Sequence, residues 1–322
     1  MNIRRLTRFL HSADVLLIGF LTMLSLIDLL FASRIPRWKE LVAINVVVIT
    51  AICCLAYFRH TTGIRVIRYL HDWYIAPGVF LSFKELYFMV HPLHGRDYDE
   101  LLIAADRWLF GVDPTHWISQ FAHPVLTEVL QLAYTSFYFL FLLVGFELYR
   151  RRNFDLFHLF MFTCVYGFFL SYLGYFTLPA IGPRFTLHDF SALDQELPGL
   201  WLTPSLRWFV NAGESIPMNV PNEVAIAQTQ RDVFPSGHTM MMLVLLYMAF
   251  AYRSWWRYLL TVIGALLIVA TVYQRYHYVV DLMGGALAML FCVATSRPLF
   301  EFLKARLQIM ESRMPPAEGT DG

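Results

Sequence analysis

Long apolar runs constrain this chain more than any other feature. A helix that crosses a bilayer needs about 20 mostly apolar residues. Five stretches supply them: 13–31, 41–58, 129–146, 156–183 and 235–252. The run 258–274 is shorter but uncharged, and 278–296 carries one acid, Asp281. A further stretch, 69–90, holds Asp72, Lys84 and Glu85 and is interrupted by Pro77-Gly78. Composition agrees with the runs: 57% of residues are hydrophobic and only 15% are charged. Soluble domains carry about 25% charged residues. These values exclude a disordered, collagen-like or disulfide-stapled chain and argue against a soluble enzyme. A net charge of +1 leaves no basic face, so no nucleic-acid partner is expected.

Counting 69–90 predicts an all-α polytopic bundle of about eight transmembrane helices. The distribution of basic residues decides the count. With eight spans, one membrane side collects Arg4, Arg5, Arg8, Arg59, Arg65, Arg68, Arg150–Arg152, Arg253, Arg257, Arg297, Lys304, Arg306 and Arg313. These are 15 of the 25 Lys and Arg, and all lie on short segments. Basic residues mark the cytoplasmic side, so both termini are expected there. Omitting 69–90 would move Arg150–Arg152 across the membrane and erase the bias. The first span lacks a small-residue cleavage site and reads as a retained anchor. Cys53, Cys54, Cys164 and Cys292 fall inside spans and read as packing residues.

The predicted organisation is N-terminal spans over 1–90, extracytoplasmic interfacial helices over 91–128, a helical bundle over 129–296 and a cytoplasmic tail over 297–322. In the second part, Leu101, Leu102, Ala105, Trp108 and Leu109 form a helical stripe. Gly111 would end that helix, and Asp113-Pro114 would begin another. The segment 180–234 is long and rich in turn residues, which marks a functional or disordered loop.

Charged and titratable groups inside spans are costly and point to function. Apart from Asp72, those in the spans read as gathered at the outer level. His238 stands in Pro235-Ser236-Gly237-His238, where the long loop enters the sixth span. His277 and Asp281 open the eighth. Up-and-down topology alone therefore places both histidines at one membrane face. The i,i+4 spacing of His277 and Asp281 would put them on one helix face. The carboxylate could then hold one imidazole N–H and leave the other nitrogen as a nucleophile. Ser236 reads as an N-cap, with the N–H groups of Gly237 and His238 free for an anion. His238 could protonate a leaving oxygen. Arg184, after the turn Gly182-Pro183, is the first choice for a phosphate clamp. Lys84 is the second, and Arg275 ranks lower because it would point away from His277 on a helix. Tyr134, Tyr138, Tyr175, Tyr273, Tyr276 and Tyr278 read as an interfacial aromatic belt, with a cleft-lining role for Tyr134 or Tyr138 as the minority reading. His91-Pro92-Leu93-His94 offers no ligand constellation, so no metal is expected.

Residues 235–238 and the His-x-x-x-Asp of 277–281 resemble the second and third motifs of the type 2 phosphatidic acid phosphatase superfamily, which also contains vanadium haloperoxidases. Order, spacing and two-span separation all match over roughly 129–296. Asp-Arg-Trp-Leu-Phe-Gly at 106–111, Gly-Pro-Arg at 182–184 and Tyr-His-Tyr-Val-Val-Asp at 276–281 are similar to its inositolphosphotransferase branch, which includes inositol phosphorylceramide synthase. The resemblance implies attack by His277 on phosphorus, a phosphohistidine oriented by Asp281, and proton transfer by His238, with no cofactor or metal. The first motif of the typical phosphatases, Lys-x6-Arg-Pro, has no good copy. Arg297-Pro298 comes after the third motif, and Thr271 stands where an arginine often precedes the histidine. Other residues must therefore hold the phosphate.

The expected function is a membrane-embedded lipid phosphatase or phosphotransferase whose site opens to the extracytoplasmic side and whose partner is a membrane lipid. The alternative within enzymes is transfer of a phosphorylated head group, of the inositol phosphate type, to a lipid alcohol such as ceramide. The rival outside enzymes, a lipid transporter or scramblase, would need paired charges along a pathway or repeat symmetry, and neither is evident.

Overall fold

The computed structural model describes residues 9–217 and 220–312, with side chains as far as Ile309. Arg4, Arg5, Arg8, Arg313 and the polar tail 315–322 lie outside the described residues. Every regular element among the described residues is helical. The first four helices are α1 (Ser12–Leu30), α2 (Trp38–Thr61), α3 (Arg65–Trp73) and α4 (Ile75–His94). Two short helices follow, α5 (Asp99–Phe110) and α6 (Pro114–Ser119), then the long α7 (Pro124–Arg150) and α8 (Phe154–Tyr175). The segment after α8 holds α9 (Pro183–Thr186), α10 (Leu193–Glu196), α11 (Thr203–Gly213) and α12 (Asn222–Gln228). The chain closes with α13 (Gly237–Ala251), α14 (Arg257–Tyr273) and α15 (Val279–Ser312).

Five helices are long and apolar enough to cross a membrane: α1, α2, α7, α8 and the Val279–Ile309 part of α15. This is compatible with an integral membrane protein. Helices α13 and α14 are apolar but have 15 and 17 residues. At 1.5 Å per residue they extend about 22 and 25 Å, short of the roughly 30 Å hydrocarbon layer. The stretch 69–90 is not one helix. It divides at Tyr74, one turn before Pro77. Pro77 then sits in the first turn of α4, where a missing N–H costs nothing. Helix α15 runs through Arg297-Pro298 without ending, so the expected boundary at 296 falls inside a helix.

Helix α13 is the hub of the bundle. It packs against α7, α8, α14 and α15, and Met240, Met241, Met242, Val244 and Leu245 are fully buried. A helix apolar on every side belongs inside. Its start is fixed by a close approach of α15. A Cβ on Gly285 would stand 2.6 Å from the Ser236 carbonyl oxygen, which is backbone and cannot give way. Gly285→Ala should therefore cost about 1–3 kcal/mol through overpacking and push the α13 turn away. Thermal unfolding in detergent is the check, and an unchanged melting temperature would refute the contact.

Two expectations about polar groups change. Charges in the helices are not confined to one level: Asp14, Asp28, Glu85 and Glu147 are also buried. Helix α5 turns most of its apolar stripe away from the bundle. It buries Asp99, Leu102 and Asp106 and exposes Leu101, Leu109 and Trp108, the last at 84%. Gly111 ends it with φ +72° as expected, but the Asp113 carboxylate pairs with Arg107 at 2.8 Å instead of capping α6. The segment 180–234 is tied down at its centre. Glu128 accepts hydrogen bonds from the Leu200, Leu202 and Thr203 N–H groups at 3.0, 2.6 and 3.1 Å. A carboxylate there satisfies the free donors at the start of α11.

Candidate active site

The sharp turn between α14 and α15 carries His277. The Thr271 carbonyl accepts from both the Tyr276 and His277 N–H groups, at 2.9 and 3.0 Å, and Arg275 takes φ +64° to make the turn. His277 thus lies two residues before α15 and not on its face. Its Nδ1 is 3.0 Å from the Val233 carbonyl and 3.5 Å from Asp281 Oδ2. A carbonyl can only accept, so Nδ1 carries the proton and the Nε2 lone pair is left free. The nearer orienting group is therefore backbone. Asp281 Oδ2 instead accepts the Tyr278 N–H at 2.8 Å and rigidifies the turn. Burial, then the neighbouring His238, holds His277 well below the usual imidazole range, which keeps it neutral.

His238 enters from the first turn of α13. Ser236 is the N-cap, accepting from the Thr239 N–H at 3.3 Å, and the Ser236 N–H donates to the Asp281 carbonyl at 3.0 Å. The rings of His238 and His277 are 6.1 Å apart between centroids. His238 stacks on Tyr134 at 4.5 Å, and Tyr134 stacks on Tyr276 at 4.4 Å. The Arg184 guanidinium covers the far face of this column, 5.0 Å from the Tyr276 ring. Stacked rings and a cation over an aromatic face are each worth about 1 kcal/mol, and together they remove rotamer freedom from His238.

Arg184 stands in α9, its N–H bonded to the Arg275 carbonyl at 3.0 Å. One guanidinium nitrogen pairs with Glu214, while Nε and Nη1 are buried with no partner. His238 Nε2 is likewise buried and unpartnered. Buried polar atoms are nearly always paired in native proteins, so these donors call for a polar guest. All of them border one cavity of about 200 Å³, lined by Arg184, Gly237, His238, His277, Tyr134, Tyr138, Tyr276, Glu214 and Asp232. Burial, then Glu214, pushes the Asp232 carboxyl well above the usual carboxylate range. The cavity continues inward between apolar groups that include Phe80, Phe137, Phe141, Phe168 and Met161.

The other sequence candidates stand elsewhere. Lys84 is not part of the cavity wall. Its ammonium donates to the Gly213 carbonyl at 2.5 Å and to Ser215 Oγ at 2.8 Å, closing the C-terminal end of α11 just before Glu214. It does not pair with Glu85, which accepts from Asn45 at 2.7 Å. Arg275 is paired with Glu196 at 2.5 Å, outside the cavity. The Ser236 hydroxyl is spent on its cap. The tyrosines are no interfacial belt: Tyr134, Tyr175, Tyr273, Tyr276 and Tyr278 are all buried. Their hydroxyls pair inside, which lets phenols lie within a core.

Four acids escaped the sequence reading. Glu214 and Asp232 lie in the featureless long segment and reach the site only through its fold. Asp99 accepts from the Gly182 and Ile181 N–H groups at 2.8 and 3.0 Å and from the Tyr278 hydroxyl at 2.8 Å. Asp106 accepts from the Val279 and Val280 N–H groups at 2.9 and 2.8 Å, capping α15. Helix α5 is thus the clamp that holds the Arg184 turn and the His277 turn together. Its one visible signal was Asp106 within the Asp-Arg-Trp-Leu-Phe-Gly run.

No curated protein and no solved structure matches the chain. A family model described as the PAP2 superfamily matches residues 100–295, more than half of its length. The match begins in α5, the clamp helix, and ends within α15, so it spans every element that builds the cavity wall except α4 and the end of α3 at Trp73. Membership supports a function of the phosphatase or phosphotransferase type. The chain belongs to the PAP2 superfamily.

Proposed function

We propose that the protein is an integral-membrane enzyme that cleaves a lipid phosphate through a phosphohistidine on His277. The observation that carries this reading is the free Nε2 of His277 beside the unpartnered donors of His238 and Arg184 in one cavity. The His277 lone pair attacks phosphorus, and the bond to the leaving alkoxide breaks. His238, held protonated by the negative charge of the bound phosphate beside it, delivers that proton to the leaving oxygen. Arg184 Nε and Nη1 take the phosphoryl oxygens in the manner of a guanidinium fork. The N–H groups at the start of α13, at Gly237, add fixed dipoles. His238, now neutral, then accepts a proton from the resolving hydroxyl, whose oxygen displaces His277. The apolar inner part of the cavity supports a lipid: acyl chains stay among Phe137, Phe141 and Phe168 while the phosphate meets the histidines.

A second reading is favoured by Glu214 and Asp232. Two carboxyls in the wall beside Arg184 suit the hydroxyls of a polyol head group. The resolving nucleophile would then be a lipid alcohol in place of water. The test offers purified protein a panel of lipid phosphates and head-group donors and scores free phosphate and new phospholipid separately. Neither product above a His277→Ala control would overturn both readings.

Asp281→Asn probes the shared role of carbonyl and carboxylate. Loss of a required tautomer costs roughly 10⁴ in rate elsewhere. Here the Val233 carbonyl is the nearer acceptor, so the loss should stay well under that value. A loss near 10⁴ in kcat, with KM unchanged, would assign the tautomer to Asp281.

The proposed topology has eight crossings, with α3–α4, α13 and α14 completing the five long helices. Both termini are cytoplasmic, α5 and α6 lie at the outer interface, and the cavity opens outward. The exposed Trp108 and Leu109 of α5 support an interfacial position. A Ser191→Cys variant should react with an impermeant thiol reagent on intact cells. Labelling only after lysis would invert the orientation.

A further inference from the structure

The four histidines that the arginine bias places on the cytoplasmic side are His11, His60, His71 and His158. All four line a second cavity, of about 260 Å³, formed by the starts of α1 and α8, the ends of α2 and α3 and the far half of α15. Along α8, His158 and Tyr175 are 17 residues apart, which at 1.5 Å per residue puts this cavity about 25 Å from the phosphoryl site. Asp14 and Asp72 are buried in the same wall, and their partners within the cluster include a single arginine, Arg59. Two carboxylates against one guanidinium leave one negative charge in excess among the described residues. Lys304 does not supply the balance, since it pairs with Asp155 at 3.3 Å.

Two triads have their donor atoms within 4.8 Å of one another: His11, Asp72 and His158, and His11, Asp14 and His71. Tautomer chemistry chooses between them. Arg59 can only donate, and its Nη1 is 2.9 Å from His71 Nδ1. His71 Nδ1 therefore accepts, and its proton sits on Nε2, the nitrogen facing Asp14 at 3.1 Å. That nitrogen would have to shed its proton to bind an ion, whereas His11, common to both triads, has only to release the Asp14 N–H that its ring accepts at the start of α1. His158 has no such commitment: Nε2 is buried without a partner, 3.8 Å from Asp72 Oδ1. Asp72 is in turn held by Arg59 and by the Tyr149 hydroxyl at 3.1 Å. Such outer partners orient ligating carboxylates in metal sites.

We propose that His11, His158 and Asp72 bind one divalent transition-metal ion of the zinc class at the end of the bundle opposite the phosphoryl site. Two imidazoles and a carboxylate suit that class, and three protein ligands leave a position for water. Donors around tetrahedral zinc stand roughly 3.4 Å apart for bonds near 2.0–2.1 Å, so binding needs only small side-chain rotations. The ion ties the start of α1 to α3 and α8 and outweighs the one excess carboxylate charge, leaving the cluster at +1 for a water-derived hydroxide or an anion at the open position.

The test uses full-length protein without a polyhistidine tag, purified in detergent and stripped with a chelator. Zn²⁺ and Mn²⁺ are titrated by equilibrium dialysis and metal analysis. One Zn²⁺ should bind per chain and raise the melting temperature. His11→Ala and His158→Ala should each weaken binding at least tenfold. Asp72→Asn, nearly isosteric, covers the case in which an alanine variant misfolds, with size-exclusion elution as the check. The Zn²⁺ stoichiometry should survive in His91→Ala/His94→Ala and in His238→Ala/His277→Ala. Tetrahedral Co²⁺ absorption should appear in the parent and vanish in His158→Ala. Absence of saturable binding at one equivalent would overturn the proposal, with a protonated histidine then balancing the charge. Binding unchanged in all three ligand variants, or lost with His238 and His277, would overturn it equally. None of these readouts uses turnover, so they stand or fall apart from the proposed reaction.

Discussion

Replacing His277 with alanine should reduce turnover roughly 10⁴- to 10⁶-fold, the scale on which enzymes lose a covalent nucleophile. The fold should survive. The ring borders an existing cavity, and the bond it gives up is one to the Val233 carbonyl. Nothing else in the cavity can replace it. His238 is 6.1 Å away between ring centroids and belongs to a different helix start. The variant also separates covalent from direct displacement. Acid-labile, base-stable label from a radioactive phosphoryl donor should accumulate on the parent after rapid quench and be absent from His277→Ala. Label that persists in the variant would place the covalent bond on another residue. Soluble imidazole should restore part of the activity, since the space left behind matches the ring removed.

His238→Ala should cost about 10²–10⁴ in kcat, the range for a positioned general acid. The loss should depend on the leaving group. An alkoxide needs the proton, whereas a nitrophenolate leaves without one, so a nitrophenyl phosphodiester should show a much smaller effect. Equal losses with both substrates would make His238 a packing element of the Tyr134 and Tyr276 column. That alternative has physical content, because the ring touches Tyr134 at 4.5 Å and Phe137 at 4.5 Å. The leaving-group comparison distinguishes the two, since packing is indifferent to the substrate.

Much of the candidate site was legible because it rests on local geometry and on crossing counts. Ser236 is an N-cap because a serine before an apolar run of helix formers has few other uses. His238 and His277 border one cavity, which the expected return of α14 beside α13 would bring about. The resemblance of both motifs to the PAP2 superfamily agrees with the family found. Legibility failed where a residue's partner lies far away in sequence. Lys84 looked like a phosphate ligand because intramembrane lysines are functional by default. Its use at the end of α11 depends on a fold spanning 129 residues between donor and acceptor. The tyrosines looked like a belt because their sequence positions mark span ends. Only packing shows that they turn inward and pair their hydroxyls. The outer histidines offer no ligand constellation in the sequence, and nothing local reveals that His11, His71 and His158 converge.

What the sequence determined by itself is therefore set by short range and by the solvent. Apolar runs in a medium without hydrogen-bond partners must be helical, and helix starts and turns place the histidines. The tertiary structure decided which charges meet. It set Glu214 on Arg184, Asp99 and Asp106 on the two site-bearing turns, and the Val233 carbonyl on His277 in front of Asp281. The reason is electrostatic: in a low-dielectric interior each buried polar group must find a partner. Which partner it finds depends on helices packed from across the whole chain.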